Sequence, residues 1–434
     1  MPQPPSSGPF RVGLVYLYTG LTELLPLHAV YALSMTSHGV STGELSVLFA
    51  VWTVTTFVCE VPSGALADRF PRHRVLAAAA LAQCTGFALW TALPSLGSFA
   101  AGFVLWGAGT ALTSGTLQSL VYDGLAAEGR AGRYAHVSSR VAAVQACSVA
   151  ASSLAATPLV LFGGYPAAGW VSVLFTLLAV PTALGLGRRA PGPVPAAAPE
   201  PDTESGREPD PRPDPGAHPE GYLAVLRAGL AEARTTPRVR SAALLAAALT
   251  GLAVVDEYLP VLAREAGTPA AAVPLLLLLP WAAMAAGGFA GGRMAGAGDR
   301  LLAVLLGAGG AALAAGALTA RPAGFLGIAA FYWVLRLAQV VADTRLQHAI
   351  SGPARATVTS VAGLGAQAVA LAVFLTLGLA ARWASAAVLV ALTAVPVLLL
   401  AVRLALRPAP AHHTPPPPDD SPRPARADAV ERHS

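Results

Sequence analysis

Lysine is absent: all 28 basic residues are arginine, set against 23 Asp and Glu, and the net charge is only +5. So modest a charge, with no basic stripe, excludes a surface built for nucleic acid. Charged residues make up 12% of the chain, where an ordinary soluble domain carries about 25%. A water-soluble globule of that composition would be unable to cover its 54% hydrophobic residues. The three cysteines, Cys59, Cys84 and Cys147, sit apart inside apolar runs with no His pair nearby, which excludes a disulfide scaffold and a zinc module. The H-E-x-x-H, G-x-x-x-x-G-K-[ST] and nucleophile motifs are also missing. Neither a hydrolytic enzyme nor an ATP-driven pump is expected, and no cofactor or metal. The opening MPQPPSSGPF has no basic n-region and no small-residue cleavage site, so the first apolar run is expected to remain in the mature chain.

What is abundant is long apolar sequence. A bilayer core about 30 Å thick takes about 20 apolar residues per spanning helix. Runs of that size occupy residues 12–35, 43–66, 75–93, 98–121, 137–160 and 166–187, then 239–262, 270–292, 301–319, 323–345, 358–380 and 383–405. They are too long for barrel strands, and lipid-exposed backbone must satisfy its own hydrogen bonds, so they are read as helices. The expected fold is an all-α integral membrane protein with twelve transmembrane helices in two six-helix, pseudo-symmetric bundles. The divisions are an N-terminal segment 1–11, bundles 12–187 and 239–405, a linker 188–238 and a tail 406–434. The linker and the tail are rich in Pro, Asp and Glu, a composition that cannot bury a core. Near the linker's end Leu223, Leu226 and Leu230 fall near one face, which suits an interfacial helix.

Arginine distribution sets the orientation. The even-to-odd loops, both tails and the run ends beside them hold 24 arginines, while the opposite loops hold only Arg264, Arg321 and Arg382. The positive-inside rule then places both termini in the cytoplasm of a cell whose inner (plasma) membrane the chain crosses repeatedly. The halves also repeat each other. Glu23-Leu24-Leu25-Pro26 in run 1 matches Glu257-Tyr258-Leu259-Pro260 in run 7, and Val121-Tyr122-Asp123 at the end of run 4 matches Val341-Ala342-Asp343 at the end of run 10. Such repeats point to duplication about an axis along the membrane normal.

The loop between runs 2 and 3 reads Gly64-Ala65-Leu66-Ala67-Asp68-Arg69-Phe70-Pro71-Arg72-His73-Arg74. This resembles the most specific motif of the major facilitator superfamily: Gly, three residues, acid, base, one residue, Gly and a basic cluster. Gly64, Asp68, Arg69, Arg72 and Arg74 match, and Pro71 replaces the second Gly. The resemblance implies a twelve-helix permease in which this loop is a conformational latch, with Glu60 and Asp123 as the nearest partners for its arginines. The second-half counterpart, Gly288 to Arg293, has lost its acid. The helix 4 Arg of many drug-proton antiporters has no match here. The resemblance further implies that runs 1, 4, 7 and 10 line a central cavity.

An ionisable group inside the bilayer is costly unless paired or wetted. Glu23 lies about 18 Å along run 1, Asp256 and Glu257 sit in run 7, and Arg336 is mid-span in run 10. Tyr16, Thr19 and Glu23 share a stripe on run 1. Trp106, Thr110 and Thr113 do so on run 4, and Tyr332, Arg336, Gln339 and Asp343 on run 10. Glu23 and Glu257 are therefore the candidate proton-coupling acids, and Tyr16, Thr19, Trp106, Thr110, Asp256, Tyr332, Arg336 and Gln339 the candidate substrate-cavity residues. Arg336 is an alternative ion partner for Glu257. The expected function is alternating-access transport of a small molecule by a monomer in the lipid bilayer, as proton-coupled efflux of amphipathic or drug-like compounds. Proton-coupled uptake of a small polar solute and a receptor on a transporter scaffold are the alternatives.

Overall fold

The computed structural model describes residues 10–187, 231, 235–350 and 355–407. The leucines expected to form the interfacial helix lie outside them. Among the described residues all regular structure is helical, with no strand.

The first span is broken. Helix α1 (Val12–Glu23) stops three residues before Pro26, which has no N–H to donate and pushes the preceding Leu25 to φ −118°, ψ 84°. A 3-10 turn, Pro26–Ala29, then leads into α2 (Tyr31–Ser37). Helix α3 (Thr42–Arg69) opens on a capping box in which Ser41 and Glu44 bond each other's backbone, and is followed by α4 (Arg72–Ala92) and α5 (Leu96–Ala126). Next comes α6 (Tyr134–Gly187). At 54 residues it is far longer than one crossing needs, and it bends at Gly164, whose φ of 64° suits a residue without a Cβ.

The later part repeats the broken first span. Helix α7 (Pro237–Gly251) passes into a seven-residue 3-10 stretch, Leu252–Tyr258, before α8 (Leu259–Glu265), with Pro260 in its first turn. Runs of 3-10 longer than three or four residues are uncommon. There follow α9 (Val273–Arg293), α10 (Asp299–Leu318), α11 (Phe325–Ala349), α12 (Arg355–Ala380), α13 (Ala386–Leu392) and α14 (Ala394–Ala405). Ten helical segments among the described residues are long and apolar enough to cross a membrane. The broken span α1–α2 is not one of them, and Ala131–Gly187 counts as a single segment of 57 residues.

Helix α4 packs on α5 and α6, α3 on α5 and α1 on α6, while α9 and α10 pack on α11 and α7 on α12. The early and late helices meet where α3 lies along α12 and α6 along α9. Phe162, Phe289 and Trp383 project outward at 75–86% exposure, the lipid-facing surface of a membrane protein. One close backbone approach is at Gly287 of α9, where a Cβ would stand 2.2 Å from the Trp333 carbonyl of α11. Backbone cannot yield as a side chain can, so Gly287→Ala is expected to cost about 1–3 kcal/mol. A lowered thermal midpoint in detergent checks this; an unchanged midpoint would refute the close packing.

Candidate functional site

The intramembrane acids stand at the two breaks. Glu23 ends α1, and Asp256 and Glu257 belong to the 3-10 stretch before α8. Backbone groups released there need partners inside the protein, because lipid offers none. Ser152 donates to the Glu23 carbonyl at 3.1 Å, and the Leu27 N–H donates to the Ser172 hydroxyl at 2.9 Å. At the second break Gln339 Nε2 donates to the Leu249 carbonyl at 3.1 Å, and the Tyr332 hydroxyl to that of Ala253 at 3.4 Å. Each break is thus braced by polar side chains from neighbouring helices.

A cavity of ≈340 Å³ lies between the breaks, walled by Glu23, Asp256 and Glu257 together with Trp106, Thr110 and Thr113. Tyr31, Trp52, Gln83 and Trp281 line it too. The Glu23 carboxylate accepts from Gln145 Nε2 at 3.2 Å. The Tyr31 hydroxyl donates to Glu257, and its ring stacks on Trp90 at 5.8 Å and meets Trp106 edge-on at 6.1 Å. His28 packs edge-on against Trp106 at 5.4 Å. On the other side of Tyr31 is a pocket of ≈100 Å³ lined by Ser34, His38 and Tyr165. Tyr31 is therefore the partition between the two spaces. The same end is closed by Ser46 and Tyr258, whose hydroxyls are 2.7 Å apart, and by Phe49 against Phe374 at 5.3 Å. Ser114 and Gln145, which line the cavity farther toward the arginine-bearing ends of α3 and α5, are exposed.

Of the residues singled out from sequence, Glu23, Trp106, Thr110, Asp256 and Glu257 share this cavity, and Tyr16, Thr19, Tyr332, Arg336 and Gln339 do not line it. Tyr16 packs against the apolar cluster of Val15, Tyr18 and Leu120. Thr19 is buried with its hydroxyl unbonded. Both lie earlier on α1 than the level at which the cavity begins. Tyr332 and Gln339 serve as the braces described above. The alternative pair of Arg336 with Glu257 is corrected: Arg336 is exposed and bonds Gln339 Oε1 at 3.3 Å, whereas Glu257 accepts from Tyr31. The cause is the winding. A 3-10 helix advances about 20° more per residue than an α-helix, so a residue five positions into the stretch is turned by about 100° from its α-helical position. Tyr31, Trp52 and Gln83 escaped sequence reasoning; the only cue was a polar or aromatic residue within an apolar run.

At the arginine-bearing end, Arg72 pairs with Asp123 and donates to the Ser119 carbonyl at 3.1 Å. Gly64, Arg69, Arg74 and Glu60 are exposed. Glu60 forms no ion pair among the described residues, and the Asp68 side chain lies outside them. The later helices carry the same arrangement with charges exchanged. Asp299, first residue of α10, accepts from Arg345 of α11 at 2.6 Å and from Arg407 at 3.5 Å. The residue in the place of Asp123 is Arg345; Asp343, which the repeat aligns with Asp123, is exposed. Nearby, the Phe10 N–H and Arg130 bond the Glu128 carboxylate and hold its carboxyl below the usual range. That tie is complete at neutral pH and is lost as pH falls through the lowered value. Asp123→Asn is expected to slow turnover about tenfold, the effect of a 1.4 kcal/mol bias between states. Exchanging the charges, Arg72→Asp with Asp123→Arg, should restore most of it. An exchange variant no better than the single one would deny that the pair acts through its mutual attraction.

Residues 13–344 match the family model described as Major Facilitator Superfamily. No curated protein matches the sequence significantly. Among solved structures, a bacterial homolog of the human lysosomal transporter Spinster, inward-facing and unoccupied, superposes with a TM-score of 0.66 at 16% identity, over 92% of this chain and 96% of that one. A mutant of the nucleoside transporter NupG gives 0.71 at 10% identity, over 91% and 98%. The POT family transporter PepTSo gives 0.65 at 14%, over 92% and 97%.

Proposed function

We propose that this chain, which belongs to the Major Facilitator Superfamily, is a secondary active transporter that moves a small molecule by alternating access. The observation that carries the reading is the pair of broken helices, each placing acid at one shared cavity that is sealed at one end. Broken helices at mid-membrane are a common way to build a binding site between repeats that rock against each other. In this reading the chain makes twelve crossings in two six-helix halves, 12–187 and 239–405, joined by 188–238. Segment α1–α2 is one interrupted crossing, and α6 is two crossings folded at Gly164. The arginine distribution supports cytoplasmic termini, and so an opening toward the cytoplasm. The chain acts as a monomer in the cell's inner membrane.

The driving ion is the proton, with Glu23 as its carrier, and the direction is efflux of amphipathic or drug-like compounds. Two features support this: an acid on the cavity wall within reach of water, and aromatic walls suited to apolar bodies. The Arg72–Asp123 pair is the conformational latch together with Gly64, Asp68, Arg69 and Arg74. The test is transport of a compound panel in proteoliposomes under an imposed pH gradient. Expulsion of at least one compound against its gradient, abolished by a protonophore, is the expected result. Binding with no movement of any compound would favour a receptor instead.

A further inference from the structure

The cavity gathers three acids, and the one basic side chain on its wall, His28, packs on Trp106 and bonds none of them. Three carboxylates, Glu23, Asp256 and Glu257, are on its wall, and no arginine is among its lining residues. The chain has no lysine. Glu23 and Glu257 have side-chain partners in Gln145 and Tyr31. Asp256, beside Glu257 and near the Tyr31 and Tyr332 hydroxyls, accepts from the backbone N–H groups of itself and Glu257 and from no side chain among the described residues. A carboxylate withdrawn from water requires a counter-charge or a proton, and here the ligand is what remains to provide the charge.

A second, independent feature marks the same space. Gln83 is 93% buried, lines the cavity, and its Oε1 has no hydrogen-bond partner. That oxygen only accepts, so it calls for a ligand N–H or O–H. Trp52 Nε1 is likewise buried and unbonded on this wall. The indole rings of Trp52 and Trp106, 5.6 Å apart, stand on this wall, and an indole attracts a cation and covers an apolar body. The volume is that of a drug-sized site.

The geometry points to an organic ammonium ion as the substrate class: a protonated amine with an aromatic or apolar body, its charge on Asp256, an N–H on Gln83 Oε1 and its body against Trp52 and Trp106. This rests on the transporter reading above and narrows it. Anionic compounds are excluded by the same three acids.

Equilibrium binding to the purified full chain in detergent tests the idea, read by quenching of tryptophan fluorescence. The probes are 2-phenylethylammonium, the near-isosteric neutral 2-phenylethanol, and anionic phenylacetate, all at neutral pH. The cation is expected to bind at least about tenfold more tightly than the alcohol, with no saturable binding of phenylacetate. Asp256→Asn should remove most of that preference and leave the affinity for the alcohol within about twofold. If the alcohol or phenylacetate binds the wild-type chain as well as the cation, the inference is overturned, whether or not the variant folds. Retention of the full preference in a folded Asp256→Asn protein, confirmed by an unchanged thermal midpoint, overturns the role given to Asp256. Binding needs no turnover, so failure of cation preference is a separate result from failure of transport in proteoliposomes.

Discussion

A disulfide between Gly43→Cys and Ala381→Cys is expected to stop transport completely, with full recovery on reduction. A Cβ at Gly43 would stand 4.0 Å from the Ala381 Cβ, within the 3.5–4.5 Å span of disulfide-linked Cβ atoms. The site lies where α3 runs along α12, at the end that Ser46, Tyr258 and the Tyr31–Glu257 bond also close. Alternating access requires this end to part once in every cycle, and a covalent bridge there leaves only the state seen here. The substitution belongs in a chain whose native Cys59, Cys84 and Cys147 are replaced, so that no other thiol reports. Ligand binding from the open side should survive oxidation, which separates a locked carrier from a damaged one. Wild-type turnover by a fully cross-linked protein would mean that this contact does not open during transport.

Sequence reasoning works for this protein wherever a helix stays regular. Trp106, Thr110 and Thr113 lie on an unbroken stretch of α5, and the 100° step places all three on the cavity wall. The paired E-x-L-P segments, read from sequence only as a repeat, fall at the two breaks, where a proline cannot continue an α-helix. Past each break the wheel no longer applies. Tyr31 begins a new helix after a 3-10 turn, so its phase relative to Glu23 is unreadable, and it turns out to partner Glu257 across the cavity. The α11 stripe was legible as a stripe, yet its duty was not: Tyr332 and Gln339 are spent on carbonyl groups freed by the long 3-10 stretch, whose existence no residue pattern announces. The second ion pair at the arginine-bearing end was not legible because the repeat aligns Asp123 with Asp343, two residues before Arg345, while Asp299 and Arg345 keep the positions of Arg72 and Asp123 and exchange the signs.

Glu23→Gln is expected to abolish accumulation against a gradient while leaving exchange of substrate down its gradient. The carboxylate sits on the cavity wall, where it accepts a single side-chain bond from Gln145. A glutamine keeps that shape and polarity but can neither gain nor lose a proton, so the coupling step is removed without dismantling the site. Glu257→Gln should act differently. Its carboxylate receives the Tyr31 hydroxyl, and Tyr31 separates the main cavity from the smaller pocket beyond. Weakening that bond should favour the state open at the far end and raise leak through the carrier. Tyr31→Phe removes the same bond from the other side and should produce the same leak. The double variant should then be no worse than either single one, the mark of two groups acting through one contact. Additive effects of the two would show that they act independently. Wild-type accumulation with wild-type pH dependence in Glu23→Gln would show that the proton travels by another group.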